Sequence, residues 1–261
     1  MLLGCCTTIE NYPVAAAAGC DTITLAATDL AAMDKAAFAS LKEIISSGTL
    51  RAVSLNKFCG QDVRLNGPLY SRDALSRYAS PLFERAAALG VHYIGIGSPA
   101  SRNTDPDAEI TSAMTQFEDA IAFLCMLAAP YDIDILIEAV CDIECNFITT
   151  TAEALSLVER LTSNNLHLVY DIYHAQMMNE RIENIDAAVS EIRVVHIAQD
   201  VGHGMRYYLD EDFAEEYRPY ISRLKAVGYT GELSLEAFHG DVAAELPKSI
   251  GLLRRLCNET A

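Results

Sequence analysis

Short apolar runs alternate with longer amphipathic segments along the whole chain. Eight of the runs have the length of buried β-strands and are bounded by Gly, Asn, Asp or the end of a helical segment. The predicted strands are residues 2–7, 21–26, 50–56, 91–97, 133–139, 166–171, 192–198 and 232–237. Regular alternation of strand and helix is typical of βα units that build a parallel sheet.

The segments between these runs have the apolar spacing of helices. In residues 71–89 the side chains of Leu75, Tyr78, Leu82 and Ala86 recur at steps of three and four, which places them on one face. Residues 110–129 and 152–161 show the same pattern. Dividing 261 residues by eight gives about 33 residues per unit, the size of a βαβ building block. We therefore predict a closed (β/α)₈ TIM barrel in a single domain, residues 1–261.

An open doubly wound sheet is the alternative architecture. Such a sheet usually carries a glycine-rich phosphate turn after its first strand, whereas Thr8, Ile9 and Glu10 stand there in this chain. The sequence also lacks G-x-G-x-x-G and Walker A patterns, which favours the barrel. The polar stretches 59–68 and 98–106 are predicted to be long loops at the substrate-binding end, and Arg102 is expected to be a solvated loop arginine.

Composition limits the partners of the protein. With 36 acidic and 19 basic side chains the net charge is −17, which disfavours nucleic acid and anionic lipid as partners. The longest apolar run is far shorter than the roughly 20 residues of a membrane span, so we expect no membrane partner. The eight cysteines form no C-x-x-C pair and indicate reduced thiols, so we expect a cytoplasmic protein.

Four consecutive predicted strands end in a potential metal ligand: Glu138, Asp171, His196 and Glu236. Their separations of 33, 25 and 40 residues are each about one βα unit, so a barrel would bring all four to one mouth. Strands often end in polar residues, and each of the four taken singly is more often structural. Together they predict a site for one divalent ion, with Mn²⁺, Co²⁺, Mg²⁺ and Zn²⁺ as the candidates.

The residues around these positions carry a resemblance to a known family. The stretch from Ile137 through Phe147 resembles the E-x-L-N-x-x-E-x-N-F segment of the sugar isomerase/epimerase superfamily with a xylose isomerase-like barrel. The stretch from Asp171 to His174 resembles its D-x-x-H segment. This superfamily includes ketose 3-epimerases and hydroxypyruvate isomerase. The resemblance implies that Glu138, Asp171, His196 and Glu236 ligate the metal and that Glu144 and His174 bind substrate.

Two positions depart from the family pattern. Cys141 stands where an asparagine usually follows the strand-5 glutamate, and Gly202 stands where an arginine is expected after the strand-7 histidine. Either Arg206 or His203, in the same loop, is a substitute for that arginine, and Arg206 is our candidate for substrate binding. These departures leave the identity of the substrate open.

The resemblance implies a divalent-metal-dependent isomerase or epimerase of a small carbohydrate, which is a sugar, a sugar phosphate or a keto acid. Such an enzyme abstracts a proton next to a carbonyl through an enediolate, and the resemblance implies Glu138 and Glu236 as its catalytic bases. A metal-dependent dehydratase of an inosose or shikimate-like compound begins with the same step and is the main alternative. A non-catalytic sugar-binding barrel is disfavoured by the four intact metal positions. An endonuclease IV-like phosphodiesterase is disfavoured because the second and third strands end without the additional ligands. Assembly into a homo-oligomer is left open.

Overall fold

Eight parallel strands close into a barrel in this computed structural model, which describes residues 1–105, 107–202 and 204–259. The barrel strands are β1 (Leu2–Cys6), β2 (Thr22–Ala26), β3 (Ser54–Asn56), β4 (Tyr93–Ile96), β5 (Asp134–Glu138), β6 (Leu166–Asp171), β7 (Ile192–Ile197) and β10 (Glu232–Leu235). Each barrel strand pairs with the next barrel strand along the chain, so that β7 pairs with β10, and β1 pairs with β10 to close the ring. The predicted (β/α)₈ barrel is confirmed. A small antiparallel hairpin of β8 (Gln199–Asp200) and β9 (Arg206–Tyr207) follows β7.

Helices follow most of the barrel strands. They are α1 (Tyr12–Ala17), α2 (Ala27–Ala32), α3 (Lys35–Ser47), α4 (Arg72–Ala88), α5 (Pro99–Arg102), α6 (Ile110–Ala128), α7 (Thr151–Leu161), α8 (Ile172–Met177), α9 (Asn184–Ala188), α10 (Ala214–Ala226) and α11 (Val242–Asn258). The three helices predicted from apolar spacing correspond to α4, α6 and α7. The start of α7 is fixed by a capping box, in which Thr150 and Glu153 satisfy each other's backbone N–H groups.

Most predicted strand ends lie within two residues of the observed ones, and two predicted segments differ by more. The third strand begins at Ser54 rather than at residue 50, because Arg51 makes only an isolated bridge to Thr22. The polar stretch 98–106 is not a plain loop, since α5 lies inside it with a proline in its first turn. Residue 106 lies outside the described residues.

The interior of the barrel is apolar on one side and polar on the other. Leu136, Val169 and Val194 form a buried cluster on the β5–β7 side. On the opposite side the buried carboxylate of Glu232 accepts hydrogen bonds from Thr22 Oγ1 at 2.5 Å and Ser54 Oγ at 2.6 Å. Since a buried charge is tolerated when it is hydrogen-bonded, this network supports the floor of the barrel below its mouth.

Across the described residues, none of the helices is both long enough and apolar enough to cross a membrane. The eight cysteines are free thiols, and all except Cys257 are buried.

Candidate metal and substrate site

The four side chains that predict a metal site meet at the mouth of the barrel. Glu138 ends β5, Asp171 ends β6, His196 lies near the end of β7, and Glu236 follows the last residue of β10. One potential ligand atom of each lies within 4.8 Å of those of the others, and all four residues are buried. Because parallel barrel strands have their carboxyl ends at one face, residues about one βα unit apart converge there.

Burial and like charge shape the electrostatics of this cluster. The pKa of Glu138 is raised, first because burial disfavours its charged form and further because Glu236 carries the same charge. Burial works against charge on His196, but Glu236 and the contacts with Cys6 and Glu138 outweigh it, so the pKa of His196 is raised well above its usual value. A cation placed among these carboxylates would relieve their repulsion.

The donor set fits a divalent ion. Three carboxylates and one imidazole are ligands that Mn²⁺, Co²⁺ and Zn²⁺ accept in proteins. His196 presents Nδ1 to the carboxylates, 3.0 Å from Glu138 Oε1 and 3.7 Å from Glu236 Oε2. Its Nε2 lies 3.9 Å from Cys6 Sγ in the barrel interior. One ring nitrogen therefore faces the cluster while the other has a partner of its own, as is usual for a ligating histidine.

Arg206 reaches into the cluster from the hairpin strand β9. It is buried, its Nη1 donates to Asp171 Oδ2 at 3.2 Å and also to Glu236, and its Nη2 contacts His174. Burial opposes charge on Arg206, but the carboxylates of Glu236 and Asp171 outweigh it and raise its pKa. The structure thus brings Arg206 to the predicted site, whereas its alternative His203 lies outside the described residues.

The two remaining predicted substrate-binding residues flank Arg206. His174, in α8, is buried and accepts a hydrogen bond at Nδ1 from the Cys141 N–H at 3.2 Å. Burial, with Arg206 adding to it, lowers the pKa of His174 to about 2, so its ring is neutral at neutral pH. Glu144 is partly exposed at the rim, with Oε1 3.6 Å from Arg206 Nη2. All of the described site candidates therefore lie around one mouth.

A cavity of about 190 Å³ is lined by Ala237 and Phe238, which follow Glu236 in the chain. Its lining includes Thr7, Asn56, Lys57 and Phe238, a mixture of polar and aromatic side chains. Lys57 Nζ lies 4.0 Å from the centre of the Phe238 ring. Such a mixture can contact the hydroxyl groups and the apolar face of a small polar molecule.

Arg102 corrects the expectation of a solvated loop arginine. Its side chain is fully buried, because α5 turns it inward toward the end of β5. Nη1 donates to Glu138 O at 2.9 Å, Nη2 to Ile148 O at 3.2 Å, and Nε to Cys145 Sγ at 3.2 Å. Arg102 therefore joins the backbone of Glu138 to the loop that follows it. The sequence signal for this arrangement is Pro99, which is common in the first turn of a helix.

Two further residues touch the candidate ligands and were not singled out from the sequence. Asn56 Nδ2 donates to Glu236 Oε1 at 2.6 Å, and both residues are buried. Gly97 leaves space for Glu138, since a Cβ atom there would lie 2.3 Å from Glu138 Oε2. Their place at strand ends, shared with the four candidate ligands, is the signal by which they could have been found.

A closed parallel barrel with acidic and imidazole side chains gathered at its carboxyl end defines a class of barrel proteins whose mouth can hold a metal ion. Within that class the chain belongs to the xylose isomerase-like TIM barrel family, whose model matches residues 13–256. The family expected from the sequence is therefore confirmed.

Relatives and solved structures agree with this assignment. The chain is 28% identical over 260 residues to an L-ribulose 3-epimerase of Methylomonas sp. (strain DH-1), covering 94% of this chain and 84% of that protein. It is 25% identical over 164 residues to an inosose isomerase of Halalkalibacterium halodurans, covering 60% of this chain and 57% of the relative, which is less than two thirds of its length. The structure of IOLI protein with a binding zinc atom has the same fold, with a TM-score of 0.74, 20% identity and coverage of 98% and 96%.

Proposed function

We propose that this protein is a divalent-metal-dependent sugar isomerase or epimerase that removes a proton from the carbon next to a carbonyl. The observation that carries the proposal is the convergence of Glu138, Asp171, His196 and Glu236 within 4.8 Å at the barrel mouth. The names of the relatives, an L-ribulose 3-epimerase and an inosose isomerase, support the same chemistry.

In this proposal Glu138, Asp171, His196 and Glu236 hold one metal ion. When bound, the ion polarises the substrate carbonyl and stabilises the negative charge that follows proton removal. Mn²⁺, Co²⁺, Mg²⁺ and Zn²⁺ are the candidates, and the zinc atom in the IOLI structure supports a metal ion in a barrel of this fold without selecting among them.

Glu138 and Glu236 are the proposed bases. They come from β5 and β10, which are separated in the barrel by β6 and β7, so they approach the centre from different directions. One carboxylate takes the proton and the other returns a proton to the opposite face, which gives epimerisation. Return of the proton to the adjacent carbon gives isomerisation. The raised pKa of Glu138 suits a carboxyl that holds a proton before donating it.

His174, Arg206 and Glu144 are the proposed substrate-binding residues. The neutral His174 and the cationic Arg206 offer N–H donors to substrate oxygens, while Glu144 offers a carboxylate acceptor at the rim. Because the first two are buried and have fixed partners, they can hold a sugar in register with the bases.

The setting that we propose is carbohydrate metabolism in the cytoplasm, with a small carbohydrate as substrate. Its support is the set of free cysteines, which suits a reducing compartment, and the acidic net charge, which disfavours polyanionic partners. Residues 1–261 are proposed to act as one domain, and a homo-oligomer is left to measurement of mass in solution.

The test is a panel of ketopentoses, ketohexoses and inososes incubated with protein loaded separately with each candidate ion. We expect conversion of at least one ketose to its epimer or isomer, with deuterium from D₂O at the reacting carbon. Conversion that requires no metal would contradict the proposal. A product lighter than its substrate by one water would instead identify a dehydratase.

A further inference from the structure

The carboxylate oxygens of the candidate ligands do not all have the same surroundings. Asp171 Oδ2 and Glu236 Oε2 face the cluster, where both accept hydrogen bonds from Arg206 Nη1. The other oxygen of Asp171, Oδ1, accepts a hydrogen bond from the Tyr173 backbone N–H at 2.8 Å. Asp171 thus has one oxygen turned toward the cluster and the other hydrogen-bonded to the backbone.

Glu236 differs from Glu138 in the partner of its second oxygen. Glu236 Oε1 accepts a hydrogen bond from Asn56 Nδ2 at 2.6 Å. Glu138 Oε2 packs against Gly97, and no hydrogen-bond donor within residues 1–105, 107–202 and 204–259 contacts it. The two proposed bases are therefore unequal in this respect, and the difference comes from a single side-chain amide.

Asn56 is held firmly in the position from which it makes this contact. It is the last residue of β3 and is buried. Lys57, which follows it, has a φ of 48°, a left-handed conformation that is uncommon for a residue with a side chain. The carbonyl of Lys57 accepts a hydrogen bond from the Thr28 N–H at 3.3 Å. The amide of Asn56 must turn its nitrogen to Glu236, because a carboxylate can only accept.

We propose that Asn56 is a positioning residue that keeps Glu236 Oε1 away from the metal, so that Glu236 ligates through Oε2 alone and keeps Oε1 for the substrate proton. This inference rests on the proposed function. The C–H bond of the substrate breaks, the proton passes to Oε1, and the electron pair is delocalised onto the carbonyl oxygen.

The test uses the full chain loaded with Co²⁺, whose visible absorption per bound ion falls as its coordination number rises. Asn56→Leu keeps the size of the side chain without its donor, and Asn56→Ala removes the side chain without adding bulk. In both variants Oε1 is released to join the metal, so we expect weaker absorption per cobalt at an affinity equal to or tighter than wild type. With an identified substrate, kcat falls about 10- to 100-fold while KM stays within about threefold.

Asn165→Leu is the matched control. Asn165 Nδ2 donates to Cys125 O at 3.0 Å and Ile133 O at 3.1 Å, away from the mouth at the amino end of β5. Its replacement lowers the melting temperature but leaves the cobalt spectrum and kcat unchanged. A purely structural role for Asn56 predicts that same result for the Asn56 variants.

The outcomes separate the two proposals. If wild type binds no cobalt, the proposed function fails and the inference about Asn56 fails with it. If wild type binds cobalt and turns over a sugar, but both Asn56 variants keep its spectrum and kcat, only the inference is overturned. If Asn56→Leu does not fold, Asn56→Ala decides between these results.

Discussion

At the residue scale, the main feature of the barrel mouth is the number of charged side chains that are buried close together. Four carboxylates contact the guanidinium group of Arg206 or the imidazole of His196 there, those of Glu138, Glu144, Asp171 and Glu236. Repulsion among the buried carboxylates favours occupancy of the site by a divalent ion. Replacement of any one charged side chain therefore changes the balance of charge in the site.

Glu236→Gln tests the proposed base. An amide oxygen can still coordinate a metal, but the amide cannot accept a proton from carbon, so turnover should fall about 10²- to 10⁴-fold. Initial rates at measured metal occupancy check this. Glu232→Gln is the control, because Glu232 is a buried carboxylate of the same strand that bonds Thr22 and Ser54 below the mouth. Wild-type turnover in fully loaded Glu236→Gln would leave Glu236 as a ligand only and move the base to Glu138.

Arg206→Ala tests substrate binding. If Arg206 donates to substrate oxygens, its removal should raise KM by about tenfold or more, whereas metal content should not fall, because a cation that competes for Asp171 and Glu236 has been removed. Steady-state kinetics and metal analysis measure the two effects. Arg181→Ala, at an exposed arginine, should change neither. An unchanged kcat/KM in Arg206→Ala would show that Arg206 has no part in substrate binding.

At the element scale, the short helix α5 supports the site by contacting the end of β5. The sequence of α5 begins with Pro99 and ends with Arg102, so one helical turn carries a buried arginine to the end of β5. Three donors of Arg102 contact the Glu138 carbonyl at the end of β5 and the Cys145 thiol and Ile148 carbonyl in the loop that follows. The short helix α5 thereby holds the strand end from which Glu138 enters the mouth.

Arg102→Met should destabilise the fold strongly, because it removes the buried donors to the carbonyls of Glu138 and Ile148 and to the Cys145 thiol. We expect a loss of about 2–4 kcal/mol in the free energy of unfolding, measured by chemical denaturation. Arg72→Met, which breaks an exposed ion pair with Asp119, should cost far less, because solvent screens exposed charges. Equal losses of unfolding free energy in the two variants would argue against a role of Arg102 in holding the end of β5.

At the scale of the whole molecule the proposed metal couples the strands β5, β6, β7 and β10. A ligand that binds only the folded chain stabilises it by about 2.7 kcal/mol at a concentration 100 times its Kd. For a chain of this size that energy raises the melting temperature by roughly 5–10 °C. Melting of chelator-treated protein with and without Mn²⁺, Co²⁺ or Zn²⁺ measures the shift. The absence of any shift with all three would contradict metal binding by the folded protein.

The sequence by itself determined the barrel, its eight strands and the meeting of Glu138, Asp171, His196 and Glu236. These features depend on local periodicity and on the rule that parallel strands end at one face, both of which can be read along the chain. The strand boundaries were less well determined, as the late start of β3 at Ser54 shows, because pairing with a neighbouring strand decides where a ladder begins.

Only the tertiary structure decided which other side chains reach the four. Asn56 and Glu236 are 180 residues apart, and their place at strand ends indicates only that both lie at the mouth, not that they pair. The entry of Arg206 depends on the β8–β9 hairpin, and the burial of Arg102 depends on the loop that closes over it. Hydrogen bonds between distant segments follow from how the loops pack after the barrel has closed, and sequence periodicity carries no information about that packing.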